Sequence, residues 1–218
     1  MPIIEREAKV AYYPMHKCGN TTIKQAIYEI EHGEPWMPDS TSKSDDMAIH
    51  RVYPTNWSPF ERLEGPDRAE LFCFAIVRDP VSRLLSLYLD KVVDMKMHMR
   101  GRNRGLAEEL GLVADPTFPE FLDRLDDYGE CHPTIGSHIE PLSTFLGTDA
   151  SYYDRVYNMR EIPEALAMLS ERSGVELDVG QRTNKTRVDG PRYEVSAEDR
   201  AWLEKAFAED YEIFGDYF

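Results

Sequence analysis

Cysteine is scarce in this chain: Cys18, Cys73 and Cys131 are the only three in 218 residues. Their number is odd and they lack metal-ligand spacing. Neither a disulfide framework nor a cysteine zinc site is expected; free thiols and a cytoplasmic location are. Long apolar runs are missing as well. No stretch approaches the about 20 apolar residues of a membrane-crossing helix. The opening Met1-Pro2-Ile3-Ile4-Glu5-Arg6-Glu7 lacks the basic-then-apolar order of a secretion signal. Positive charge is in deficit, with 25 Lys and Arg against 40 Asp and Glu and a formal net charge of -15. Coating of nucleic acid or of an anionic membrane by bulk attraction is thereby excluded. A local basic cleft is not, because a bound group feels adjacent charges far more than distant, screened ones. Any anion site has to be built from particular residues. The sequence shows no internal repeat, low-complexity tract or evident linker, so residues 1–218 are expected to form a single domain.

What is present is the apolar share of a globular protein, 42% of residues, ample for a core. Lys9 to Tyr13 reads as a short buried strand stopped by Pro14, followed by a turn containing Gly19. From Thr22 to Glu31, Ile23, Ala26, Ile27 and Ile30 recur at i, i+3, i+4 and i+7, the pattern of an amphipathic helix. Residues 32–69, rich in Pro, Ser, Asp and Trp, predict an irregular excursion with one short strand near Ile49 to Tyr53. Leu71 to Val77 is continuously apolar, which suits a central parallel strand covered on both faces. Asp79 then offers a helix N-cap and Pro80 a first helical residue, with Val81, Leu84, Leu85, Tyr88 and Val92 as one apolar stripe. Further on, helices are predicted around Phe118 to Leu125, over Ile162 to Ser170 and over Ser196 to Tyr211, and a strand over Tyr153 to Tyr157. The order is that of an α/β fold with a central parallel β-sheet flanked by helices. In such sheets ligands bind outside the carboxyl ends of the strands, so the turns after the first two strands are expected to face one crevice.

The first turn, Tyr13-Pro14-Met15-His16-Lys17-Cys18-Gly19-Asn20-Thr21-Thr22, joins strand to helix. A helix N-terminus presents N–H groups and the positive end of the dipole to an anion. Gly19 would admit close backbone approach, Thr21 and Thr22 add hydroxyl donors, and Lys17 adds a full charge. An ordinary capped turn with an exposed lysine has the same local chemistry. The turn is not a Walker A loop, which places its lysine after the last glycine, whereas Lys17 precedes Gly19. The second turn, Val77-Arg78-Asp79-Pro80, carries a guanidinium able to grip a phosphate through paired hydrogen bonds, and Ser86 lies two helical turns further on.

His16 to Thr22 resembles the 5′-phosphosulfate loop of the sulfotransferase superfamily. Arg78-Asp79-Pro80 with Ser86 resembles that family's 3′-phosphate motif. Gln181-Arg182-Thr183-Asn184-Lys185-Thr186 and the ending Asp210-Tyr211-Glu212-Ile213-Phe214-Gly215 resemble stretches of its carbohydrate branch. The resemblance implies a P-loop-like sheet and transfer of a sulfuryl group from 3′-phosphoadenosine 5′-phosphosulfate (PAPS) to a hydroxyl, with adenosine 3′,5′-bisphosphate as product. The acceptor it implies is a saccharide or glycoconjugate. It also implies nucleotide binding by Lys17, Cys18, Gly19, Asn20, Thr21, Thr22, Arg78, Ser86, Asn184 and Lys185, with Lys17 catalytic as well. Of the three glycosylation sequons, two, at Asn20 and Asn184, fall inside these segments, where a glycan would block the pocket.

A sugar hydroxyl is a poor nucleophile at neutral pH and calls for a general base, worth about 10²–10⁴-fold in rate. Ser137-His138-Ile139-Glu140-Pro141 resembles the family's His-x-x-Pro segment, which makes His138 the candidate base; Glu140, His50 and His132 are alternatives. Sulfuryl transfer needs positioning and charge stabilisation more than covalent help, so no magnesium or other metal is expected. Residues 96–105 hold Lys96, Arg100, Arg102 and Arg104 without a carboxylate, the composition of a solvated loop or of an arm for an anionic acceptor. Two rival readings share the layout: a P-loop-type small-molecule kinase, and a non-catalytic nucleotide-binding protein of the same fold.

Overall fold

A computed structural model describes residues 1–37, 48–54, 59–178 and 193–218. The chain divides into two compact units. The first comprises Met1–Arg78, Leu142–Lys185 and Ile213–Phe218, and the second Asp79–Pro141 and Thr186–Glu212.

The first unit is built on a four-stranded sheet in the order β1 (Ile3–Glu5), β2 (Val10–Tyr13), β3 (Phe72–Val77), β4 (Arg155–Asn158). β1 pairs antiparallel with β2, whereas β2, β3 and β4 run parallel, with Tyr13 opposite Ala75 and Val77 opposite Asn158. The apolar run Cys73–Val77 has no solvent exposure, as a strand with two covered faces requires. A 13-residue helix, Asn20–His32, follows β2, and a second, Ile162–Ser173, follows β4. Ile23, Ala26 and Ile27 of the first, Ala165, Leu166 and Leu169 of the second, and Leu177 beyond it join the strands in one core. Phe214, near the chain end, is fully buried there too, so the C-terminal aromatics serve packing.

Two expectations for this unit need correction. Ile49–Val52, expected as a strand, is a single helical turn. Ile49 is buried and Tyr53 donates its hydroxyl to Glu31 of the first long helix. Those side-chain anchors outweigh the local β-propensity of the segment. The last strand starts at Arg155 rather than at Tyr153. Tyr153 instead gives its hydroxyl to Leu146 O (2.7 Å) and stands edge-on to Tyr13, while Asp154 accepts from Cys73 N (2.8 Å).

The second unit is helical. Asp79 caps the helix Pro80–Leu87 by accepting from Ser82 N (3.0 Å), with Pro80 in the first turn as expected. Beyond Leu87 the path widens into a π-helical turn, Tyr88–Asp94, so the anticipated apolar stripe does not lie on one α-helix. Tyr88 and Val92 stay buried, with Tyr88 bonded to Pro116 O (2.7 Å). The segment around Phe118 forms two helices, Phe118–Asp123 and Leu125–Cys131, the first opened by a Thr117–Glu120 capping box. The C-terminal helix predicted from Ser196 ends at Ala206, and a separate one runs over Ala208–Phe214.

Asp79 also accepts from Tyr211 Oη (2.6 Å). Burial alone would raise its pKa, but the bonds from Tyr211 and Ser82 outweigh that and hold the carboxyl below its ordinary value. A depressed carboxylate pKa contributes stability above the unfolded value, about 3.9, which is lost as the pH falls through the folded one. Asp79→Ala is therefore expected to cost about 1 kcal/mol or more at pH 7 in urea unfolding. The gap to the wild type should narrow below pH 4.

Candidate functional site

Parallel pairing brings the ends of β2 and β3 to one edge, and the two turns of interest leave from there. After Tyr13 and Pro14 the chain tightens, with Cys18 N donating to Met15 O (3.3 Å). Lys17 has φ +62° and Gly19 φ +71°, while Cys18 between them does not share the positive sign. Alternation of this kind turns successive N–H groups toward one concavity, an arrangement suited to an anion. The first intrahelical bond runs from Ile23 N to Gly19 O (3.3 Å), so the amides of Asn20, Thr21 and Thr22 precede the helical ladder at the positive end of its dipole.

The side chains of this loop are distributed unequally. Lys17 is half-buried, and Arg78, at the end of β3, donates Nη1 to its carbonyl (3.4 Å), which braces one turn against the other. Cys18 is fully buried with its thiol toward His16 O (3.4 Å), so its backbone, not its side chain, faces any ligand. Asn20 is buried and accepts from Tyr12 Oη (3.3 Å), tying the helix start to the sheet. His16 is buried edge-on to Phe145. The missing side chain at Gly19 also meets a packing need inside the unit. A Cβ there would stand 2.6 Å from Ile162 Cδ1, so the missing side chain makes room for the helix after β4.

Thr21 leads to a feature that the sequence did not announce. Its Oγ1 lies 3.2 Å from His50 Nε2, and His50 Nδ1 lies 3.1 Å from Lys24 Nζ. Lys24 has no solvent exposure, and burial pulls its pKa down to about 7. The only local signal was its position three residues before Ile27 and four after Asn20, on the inward face of the helix.

Ser86 is buried on the helix Pro80–Leu87 in the second unit, two turns beyond Asp79. His138 is buried near the end of the helix Pro133–Ile139, with Nδ1 3.3 Å from Ser137 Oγ. Arg83, fully buried, donates to His138 O (2.6 Å) and Glu140 O (2.7 Å), satisfying carbonyls at that helix's end. Glu140 itself is exposed. His132 Nδ1 accepts from Thr134 N (3.0 Å) as the cap of the same helix. A neutral ring accepting at Nδ1 carries its proton on Nε2, which makes His132 a poor base. In the basic loop, Lys96 pairs with Asp115 (2.6 Å) and Arg104 with Glu108 (2.8 Å), so two of its four cations are answered by neighbouring carboxylates. Asn184 and Lys185 lie outside the described residues.

Gly19→Ala is expected to lose about 1–2 kcal/mol from the left-handed backbone alone, with an added cost from Ile162 set by how far its terminal Cδ1 has to shift. Urea unfolding of Gly19→Ala and of Gly19→Ala/Ile162→Ala separates the two contributions, because only the clash is relieved in the double variant. Wild-type stability of Gly19→Ala would contradict both.

Among the described residues no helix is long and apolar enough to cross a membrane. Comparison with family models matches residues 2–217 to one described as Sulfotransferase family. No curated protein and no solved structure matches the chain.

Proposed function

Since the chain belongs to the sulfotransferase family and is an enzyme that uses PAPS as sulfate donor, we propose that it sulfates a hydroxyl of a saccharide or glycoconjugate. In this reading the loop Lys17–Thr22 holds the 5′-phosphosulfate and Arg78 and Ser86 read the 3′-phosphate. The observation that carries it is the loop itself. Alternating φ signs at Lys17 and Gly19, a helix N-terminus and the Lys17 charge together suit a bound anion in a protein of net charge -15. The fully buried Cys18 side chain and the Asn20–Tyr12 bond limit those two residues to backbone contacts with the nucleotide. Asn184 and Lys185 are assigned to the nucleotide by their resemblance alone. The family match runs through both compact units, which supports reading residues 1–218 as one catalytic domain.

When bound, PAPS supplies the sulfuryl group and adenosine 3′,5′-bisphosphate leaves. Lys17 contributes positive charge where negative charge develops on the leaving oxygen, and the amides after Gly19 add to it. His138 takes the proton of the acceptor hydroxyl. With Nδ1 turned to Ser137 Oγ, Nε2 is its accepting atom. Positioning and charge stabilisation account for the step, and it calls for no metal. Three buried free thiols, and an Asn20 buried against Tyr12 in one of the sequons, favour a cytoplasmic setting.

Adenosine 3′,5′-bisphosphate at 100 times its Kd is expected to raise the thermal midpoint by about 5–10 °C, with no comparable shift from ATP and magnesium. In Arg78→Ala that shift should shrink toward the one given by adenosine 5′-monophosphate. Equal losses for both nucleotides would remove Arg78 from 3′-phosphate reading. His138→Ala should lower kcat by about 10²–10⁴-fold at unchanged bisphosphate affinity. An unaltered pH–rate profile in that variant would place the base elsewhere.

A further inference from the structure

Lys24, His50 and Thr21 form a connected polar row inside the first unit, and the transfer chemistry above makes no use of the first two. Lys24 is fully buried one helical turn beyond Thr21, and His50 is carried on the turn Ile49–Val52. Its ring bridges the two, with Lys24 Nζ 3.1 Å from Nδ1 and Thr21 Oγ1 3.2 Å from Nε2. An ammonium only donates hydrogen bonds, so the ring nitrogen facing it has to be the bare one. The ring proton then sits on Nε2 and is directed at Thr21 Oγ1. A hydroxyl that receives a hydrogen bond from the ring turns its own hydrogen elsewhere. An anion bound there also favours the charged form of Lys24, whose pKa burial has brought down to about 7.

We infer that Lys24 is a positioning residue: through His50 it orients the Thr21 hydroxyl as a donor to the phosphosulfate end of the nucleotide. The inference rests on the reading of Lys17–Thr22 as the 5′-phosphosulfate loop. It also assigns His50 a task incompatible with general base catalysis at Nε2, since that atom already carries a proton. The opposite polarity is chemically allowed for a neutral amine at Lys24: Nδ1–H would donate to Nζ, and the Thr21 hydroxyl would donate to Nε2 and be lost to the anion. The two arrangements differ in an observable property of one ring.

The deciding measurement is the tautomer of His50, read from the ¹⁵N shifts of its imidazole in labelled protein and assigned by its loss in His50→Asn. The Nε2–H form is expected in the wild type, and a mixture in Lys24→Met, which keeps the length of the buried side chain. Bisphosphate affinity should fall about three- to tenfold in Lys24→Met and in Thr21→Val, as for one lost hydrogen bond. The double variant should lose little more than either single change, because both interrupt one row. An Nδ1–H tautomer in the wild type overturns the role given to Lys24, whatever the affinities. An Nε2–H tautomer combined with wild-type affinity in Thr21→Val overturns the loop assignment instead. The NMR result on the wild type stands even if a variant fails to fold.

Discussion

Strands that run parallel must all finish at the same edge of their sheet, and in the first unit the consequences of that geometry extend to the contacts proposed for Lys17–Thr22 and Arg78. β2 and β3 are paired through Tyr13 and Ala75, so the turns that follow them leave side by side. Arg78 reaches the carbonyl of Lys17 for that reason, although 60 residues separate the two in the chain, as the numbering shows. The pairing is itself secured by side chains that tolerate no water: Cys73 to Val77 are wholly buried, and Tyr12 stacks on Phe74. Hydrophobic burial fixes the ladder, the ladder fixes where the turns begin, and the turns carry the polar groups.

A second constraint is charge. A nucleotide with phosphate and sulfate groups is met here by a chain with 15 more carboxylates than cations. Attraction from the whole molecule is therefore unavailable, and in the proposed reading the loop has to rely on short-range donors: backbone amides, hydroxyls and the Lys17 charge. Buried cations elsewhere are put to other uses. Arg83 ends the helix that carries His138 by filling two carbonyls, which is a structural assignment for a residue only three positions before Ser86. Lys24 places Nζ 3.1 Å from His50 Nδ1. Burial makes each of these charges sensitive to its immediate partner, so their tasks follow from single hydrogen bonds and not from a general field.

Much of this was legible in the residues. The apolar run Leu71–Val77, the stops at Pro14 and Asp79-Pro80, and the helical spacing from Ile23 to Ile30 depend on local chemistry, and they correspond to β3, two turns and a helix. The parts that were not legible are those decided by distant partners. Ile49 to Tyr53 has the composition of a strand and becomes a helical turn because Tyr53 finds Glu31. The widening at Tyr88 changes which residues share a face, and no motif in the sequence marks it. Lys24 resembles any helical lysine until His50, 26 residues later, is folded onto it. The edge strand Ile3–Glu5 is three residues long and carries too short a pattern to be read.

A Cβ added at Gly19 would stand 2.6 Å from Ile162 Cδ1, inside van der Waals contact, and that closeness couples the two positions. The loop Lys17–Thr22 is flanked on one side by a residue that belongs to the helix after β4, far along the chain. In a set of related sequences the size of residue 162 should covary with tolerance for anything but glycine at 19. Grafting the loop onto another sheet would then succeed only where that sheet's last helix begins with a side chain of matching bulk. The portable unit is accordingly the loop together with the start of that helix, and transplanting the seven residues alone would move the motif without its seat.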